Sequence, residues 1–162
     1  MLIVVLAHTG LRLSEARLLT WASVRLTPDA GLVVVQRGKA DRYREVPLNA
    51  TARRALGVWR ELERWRGAGE DSPVFPGPTG RPLTSRAVDR ARAACSRVAG
   101  IDPPATPPLL RHTFCKALVD AGEPLDRVAA LAGHADLHTT ARYTRPTQAD
   151  LQRAVSRLDP AP

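Results

Sequence analysis

Cysteine is scarce in this chain and poorly placed for pairing. Cys95 and Cys115 lie far apart in helical patterns with no C-x-x-C spacing. That offers no disulfide framework and leaves two reduced, buried, chemically idle thiols as the expectation. Long hydrophobic runs are missing too. None approaches the roughly 20 residues a membrane-spanning helix requires, and the opening MLIVVLAHTG has neither the basic start nor the small-residue cleavage site of a signal peptide, so it reads as a core helix. Internal repeats and low-complexity tracts are absent. Lysine is the third shortage: of 24 Lys and Arg residues, only Lys39 and Lys116 are lysines. These shortages point to a cytoplasmic protein with no membrane partner, and they make any lysine kept at a motif position a residue to explain.

What is present is positive charge on an ordinary globular composition. The 162 residues are 44% hydrophobic and 25% charged, enough for one domain spanning 1–162 with a proper core. A formal charge of +8 and a pI near 10.9 favour a polyanionic partner, most simply nucleic acid, although an anionic membrane surface fits the charge alone.

Taken in order, the patterning predicts a mainly α chain with a small antiparallel β-sheet or hairpin, an α+β class. The block Leu2–Leu6 is broken at Thr9 and Gly10, and Ser14 and Glu15 then suit the start of a helix carrying Leu18 and Leu19. Arg12 falls in the turn between these helices, where it is either an exposed residue paired with Glu15 or part of a site. LVVVQ and REVPL read as two strands around an RGKAD turn. This hairpin would carry Lys39 with Arg37, Arg42 and Arg44, a row of cations suited to a phosphate backbone or groove unless it is simply solvated. Leu56, Trp59 and Leu62 predict an amphipathic helix over 50–66, and Gly67–Pro82 an exposed loop. A helix from a Thr84 cap to Val98 would present Arg86, Arg90 and Arg97 on one face, toward phosphates or toward solvent. The four prolines in Asp102–Pro108 exclude a helix there and deliver the chain to one beginning near Leu109, with Leu110, Phe114 and Leu118 as its core stripe and Arg111 on its flank. Pro124 starts the next helix, with Leu125, Val128 and Leu131 inward and Gly133 as a left-handed stop. Residues 145–162 end in a small amphipathic helix with Leu151, Val155 and Leu158 on its apolar side.

In LAGHADLHTTARY, His134 follows a helix end and Tyr143 comes nine positions later. A half-buried core tyrosine beside a loop histidine explains both without chemistry. A reactive tyrosine, with an ordinary pKa of about 10, needs nearby cations or a base. Four segments decide between these readings: TGLRLSEARLLTW at Thr9–Trp21, GKADRYREVPL at Gly38–Leu48, LLRHTF at Leu109–Phe114 and LAGHADLHTTARYT at Leu131–Thr144. In that order they resemble the four catalytic boxes of the tyrosine recombinase (phage integrase) family. The resemblance implies a DNA breaking-rejoining fold, double-stranded DNA as partner, no metal or other cofactor, and a homotetramer on DNA that exchanges its C-terminal tails, with accessory DNA-binding proteins as further partners. It implies Arg12 and Arg111 as clamps on the scissile phosphate, Lys39 as proton donor to the leaving 5′ oxygen, His134 as phosphate contact or proton-transfer aid, and Tyr143 as nucleophile forming a 3′-phosphotyrosyl link.

Two features depart from the family. Its H-x-x-R pattern is here Pro108-x-x-Arg111, which removes a donor or acceptor, and His112 is turned away by one helical step of about 100°. The N-terminal DNA-binding domain that closes a clamp in family members is expected to be absent from 1–162. Type IB topoisomerase-like relaxation and a catalytically impaired DNA-binding remnant are the alternatives. The segment GHADLHTT argues against the first, and Pro108 together with the expected absence of the clamp domain favours the second.

Overall fold

The apolar opening becomes helix α1 (Leu2–Thr9), whose Val5 and Leu6 are fully buried and whose buried Thr9 hydroxyl donates back to the Val5 carbonyl at 2.6 Å. The structure, a computed structural model, describes residues 1–36 and 43–134 together with residues 148, 152, 155 and 156. Gly10 ends α1 at φ 61°, the left-handed region that glycine occupies without penalty. Helix α2 (Leu13–Arg17) follows at once, and its N-cap is Arg12, not Ser14. Glu15 explains the shift: its carboxylate reaches back to accept the Arg12 backbone N–H at 2.8 Å, so the acid supplies the capping interaction expected of the serine.

A 3₁₀ turn (Trp21–Ser23) leads into three antiparallel strands, β1 (Val24–Leu26), β2 (Gly31–Val35) and β3 (Arg44–Pro47), in the order β1-β2-β3. Val33 lies opposite both Val24 and Val46, and all three are buried. The expected hairpin is therefore two-thirds of a sheet. Strand β1 escaped the pattern because it is three residues long with one charged residue at its centre.

Helix α3 (Ala50–Trp65) starts at Asn49, whose side chain accepts from the Ala52 N–H at 2.9 Å. Leu56 is buried and Trp59 packs on the core, whereas Leu62 faces solvent. The Gly/Pro-rich segment after it differs from the expected exposed connection. Val74 and Phe75 are core residues, the Trp59 indole donates to the Val74 carbonyl at 2.7 Å, and the Val74 N–H bonds the Leu19 carbonyl at 2.9 Å. Composition marks the turns in such a segment but does not reveal two apolar residues tucked between them.

Helix α4 (Ser85–Val98) is capped by the Thr84 side chain, as expected. Cys95 on it is exposed, not buried; Cys115 is buried. Helix α5 (Pro107–Asp120) begins earlier than the proline content suggested, because Thr106 caps it and Pro107 and Pro108 occupy its first two positions, where a missing N–H costs nothing. Helix α6 (Leu125–Ala132) buries Val128, Ala129 and Ala132 in place of the expected Leu125–Val128–Leu131 face.

The main core gathers α1, the sheet, α3 and α4; a smaller cluster of Cys115, Val128 and Ala132, joined by Phe114 and Leu118, pins α6 to α5. Helix α5 joins the two, since its Leu110 packs on the main core. In the tail, residues 148, 152, 155 and 156 are helical and Val155 is exposed; Leu151 and Leu158 lie outside the described residues. Among the described residues no helix is long and apolar enough to cross a membrane.

Candidate functional site

Helix α6 ends in a Schellman motif. The Gly133 N–H bonds the Ala130 carbonyl at 3.1 Å and the His134 N–H bonds the Ala129 carbonyl at 2.9 Å, with Gly133 at φ 66°. That leaves the carbonyls of Leu131, Ala132 and Gly133, at the negative end of the helix, to find partners elsewhere. Three arginines from three different elements supply them. Arg44 Nε donates to the Leu131 carbonyl at 3.1 Å, Arg111 Nη2 to the Ala132 carbonyl, and Arg12 Nη2 to the Gly133 carbonyl at 3.1 Å. Arg111 Nη1 donates in addition to the carbonyl of Gly10, the residue that ends α1. Two left-handed glycines thus each offer an oxygen to a guanidinium.

Neither glycine can be enlarged in place. A Cβ on Gly133 would lie 2.8 Å from Arg44 Nη1, and one on Gly10 would lie 2.3 Å from Phe114 Cδ1. Close approach and backbone angle therefore demand the same residue at both positions.

One carboxylate serves two of the three cations. Glu15 takes both terminal nitrogens of Arg44, at 3.0 and 2.8 Å, a forked pair, and also Arg12 Nη1 at 3.1 Å. Burial alone would raise its carboxyl, but the hydrogen bonds from Arg44 and the Arg12 backbone, with the charges of both arginines, outweigh that and bring its pKa from 4.5 to about 2. Arg111 is also shifted down, which for a cation disfavours the charged form: burial, then the like charge of Arg12, lowers its pKa from the usual arginine value. Beside Arg12, a cleft of about 490 Å³ runs between α2 and β2, bordered by Ser14, Thr20, Ser23 and Gln36.

The expected site residues separate into four groups. Arg12, Arg111 and His134 are brought together at the end of α6, with His134 partly buried. Lys39 and Tyr143, with Arg37 and Arg42, lie outside the described residues. Arg86 and Arg90 are exposed on α4, whose start is tied to α2 by Arg17, donating to the Leu83 carbonyl and to Ser85 Oγ at 2.9 Å. Arg44 requires a correction: instead of facing a groove with its neighbours it is turned inward, its side chain 11% exposed, because Glu15 and the Leu131 carbonyl hold three of its donors. Glu15 and the paired glycines are the residues the patterning undervalued. An acid three positions after Arg12 was visible, but its link to a residue 29 positions away was not. Pro108 occupies the second position of α5 and is exposed, with no polar side-chain atom to offer Arg111's neighbourhood.

The fold is thus a mostly helical domain with a small antiparallel sheet, in which guanidiniums from three elements converge on one helix end. The chain belongs to the phage integrase family, whose sequence profile matches residues 1–150. It is 41% identical over 136 residues to a tyrosine recombinase XerC of Xylella fastidiosa (strain 9a5c), covering 84% of this chain and 44% of the relative. With a tyrosine recombinase XerC of Pseudomonas aeruginosa it shares 40% identity over 156 residues, 94% of this chain and 48% of the relative. The chain therefore spans about half the length of the curated relatives it matches. Among solved structures, the XerA recombinase superposes with a TM-score of 0.80 at 27% identity, over 98% of this chain and 57% of that one. XerH site-specific recombinase bound to its difH substrate, a pre-cleavage complex, gives 0.79 at 26%, over 99% and 46%.

Proposed function

We propose that this chain is the catalytic domain of a site-specific DNA recombinase that breaks and rejoins double-stranded DNA by metal-free transesterification. The observation that carries the reading is the pairing of Arg12 and Arg111 on adjacent carbonyls at the end of α6, directly before His134. Each guanidinium donates there through only part of its fork, so further N–H groups can meet the nonbridging oxygens of a scissile phosphate. Stabilising a pentavalent, doubly charged phosphorus centre without a metal requires such donors, and losing one costs on the order of 10²–10³ in rate.

In the proposed step the Tyr143 oxygen attacks phosphorus, its proton passing to a base. The bond from phosphorus to the 5′ oxygen breaks, and that oxygen takes a proton from Lys39. An arginine could not give that proton, since its pKa is above about 12. The 3′-phosphotyrosyl bond conserves the energy for religation by the reverse step. His134 contacts the phosphate or assists proton transfer. Arg37, Arg42, Arg86 and Arg90 contribute phosphate contacts along the duplex, and the tail from Thr147 docks on a neighbouring protomer in a tetramer on DNA. The protein is cytoplasmic and DNA-associated in this reading.

The test is covalent capture. Nicked suicide duplexes with a randomised central segment should yield an SDS-resistant protein–DNA adduct whose sequence reveals the site, and Tyr143→Phe should abolish it. An adduct that survives that substitution would sink the assignment.

A further inference from the structure

Arg44 opens β3, five residues after Lys39, and its hydrogen bonds seen among the described residues all go to the protein's own groups. Its fork closes on Glu15 and its Nε on the Leu131 carbonyl, so three of the five N–H groups of a guanidinium are committed. Glu15 in turn holds Arg12 at Nη1 and at the backbone N–H. The next carbonyl after Leu131 holds Arg111, and the one after that Arg12. A Cβ at Gly133 would sit against the Arg44 guanidinium, which shows how closely strand and helix end are packed through this side chain.

We propose that Arg44 is a positioning residue, locking the start of β3 to the acid and helix end that hold Arg12 and Arg111, so that strand and phosphate clamp form one rigid unit. The proposal deepens the recombinase reading and rests on it for its effect on catalysis. Two rivals make different predictions. A direct phosphate contact needs only charge and reach, which lysine retains. A purely stabilising ion pair needs no Arg111 nearby.

Arg44→Lys separates them, because an ammonium keeps the charge but cannot close a fork on Glu15 while also reaching the Leu131 carbonyl. On the duplex recovered by covalent capture, the single-turnover cleavage rate at saturating DNA should fall on the order of 10- to 100-fold, the loss typical of a misplaced reacting group, with duplex affinity held within about twofold. No change in either would overturn the proposal in favour of a phosphate contact that lysine satisfies equally well, and weakened affinity with an unchanged saturated rate would also overturn it. A DNA-free measurement keeps the question independent of the recombinase reading. In arginine-selective ¹H–¹⁵N spectra, Arg44→Lys should shift the side-chain signals of both Arg12 and Arg111, and signals that stay in place would overturn the positioning role even if the wild-type chain formed no adduct. In the wild-type chain, a random-sequence duplex should leave the Arg44 Nε–H signal unmoved; a shift there would mark a DNA contact and also overturn it.

Discussion

Glu15→Gln isolates the charge at the centre of the cluster. The glutamine keeps the shape and one acceptor oxygen, but puts an amide donor where Arg44 or Arg12 presents its own. The Glu15 side chain is 9% exposed and its pKa is lowered from 4.5 to about 2. A folded pKa below the unfolded one means that the ionised form stabilises the fold above the unfolded value and that this stabilisation is lost as pH falls through the folded value. The shift corresponds to roughly 3 kcal/mol at neutral pH. Breaking a buried pair from one side costs a comparable ~3–5 kcal/mol, and the solvent access of Arg12 places this cluster at the low end. The assay is urea unfolding followed by far-UV circular dichroism for both proteins at about pH 7 and about pH 3, where linkage leaves only about half of the effect. The stability gap between the two proteins cancels the titration of the other carboxylates. It should be roughly 3 kcal/mol at the higher pH and shrink to about 1.5 kcal/mol at the lower. A gap that is the same at both, or below about 1 kcal/mol at neutral pH, would refute the claim that the Glu15 charge is held by its arginines.

Two further outcomes follow from the same geometry. Gly133→Ala combines a left-handed backbone with a Cβ 2.8 Å from Arg44 Nη1, and should cost about 1–3 kcal/mol of unfolding free energy while also slowing cleavage; unchanged unfolding would show that α6 can end another way. Pro108→His restores the family's H-x-x-R spacing at an exposed first-turn position and should speed single-turnover cleavage; equal rates would show that the site has already compensated.

Much of the fold was legible because its signals are local. The Thr84 cap, the Gly133 stop and the β-branched run of β2 each depend on neighbours a few residues away, and each lies where the pattern placed it. The errors arose where distant partners decide the outcome. Arg44 is indistinguishable in sequence from the other hairpin cations, and only the arrival of Glu15 and Leu131 turns it inward. Ser14 has the better capping chemistry, yet Glu15 supplies the capping contact because Arg44 and Arg12 already fix its carboxylate. The prolines before α5 were read as a barrier and are instead its first turn, since a Thr106 cap converts their missing donors from a defect into a fit. For the candidate site, Arg12, Arg111 and His134 were named by the family resemblance of the segments that hold them, whereas the carbonyls that space the guanidiniums carry no side-chain signature at all.

Those carbonyls also account for the choice of basic residue. A lysine at 12, 44 or 111 could satisfy one oxygen at the end of α6 as a point charge, and would then have little directed capacity for a second partner. A guanidinium divides its donors between edges. Arg12 joins Glu15 to the Gly133 carbonyl, Arg44 joins Glu15 to the Leu131 carbonyl, and Arg111 joins the Gly10 carbonyl to the Ala132 carbonyl. Each therefore ties two segments of chain together, and for Arg12 and Arg111 the proposed chemistry needs the N–H groups left over. The same argument makes arginine wrong at position 39 under the role proposed for it. There the side chain must release a proton during the step, which a guanidinium does not do and an ammonium can. At positions 12, 44, 111 and 39 one rule then covers the choice: fixed forks where groups must be held, and a titratable amine where a proton must move.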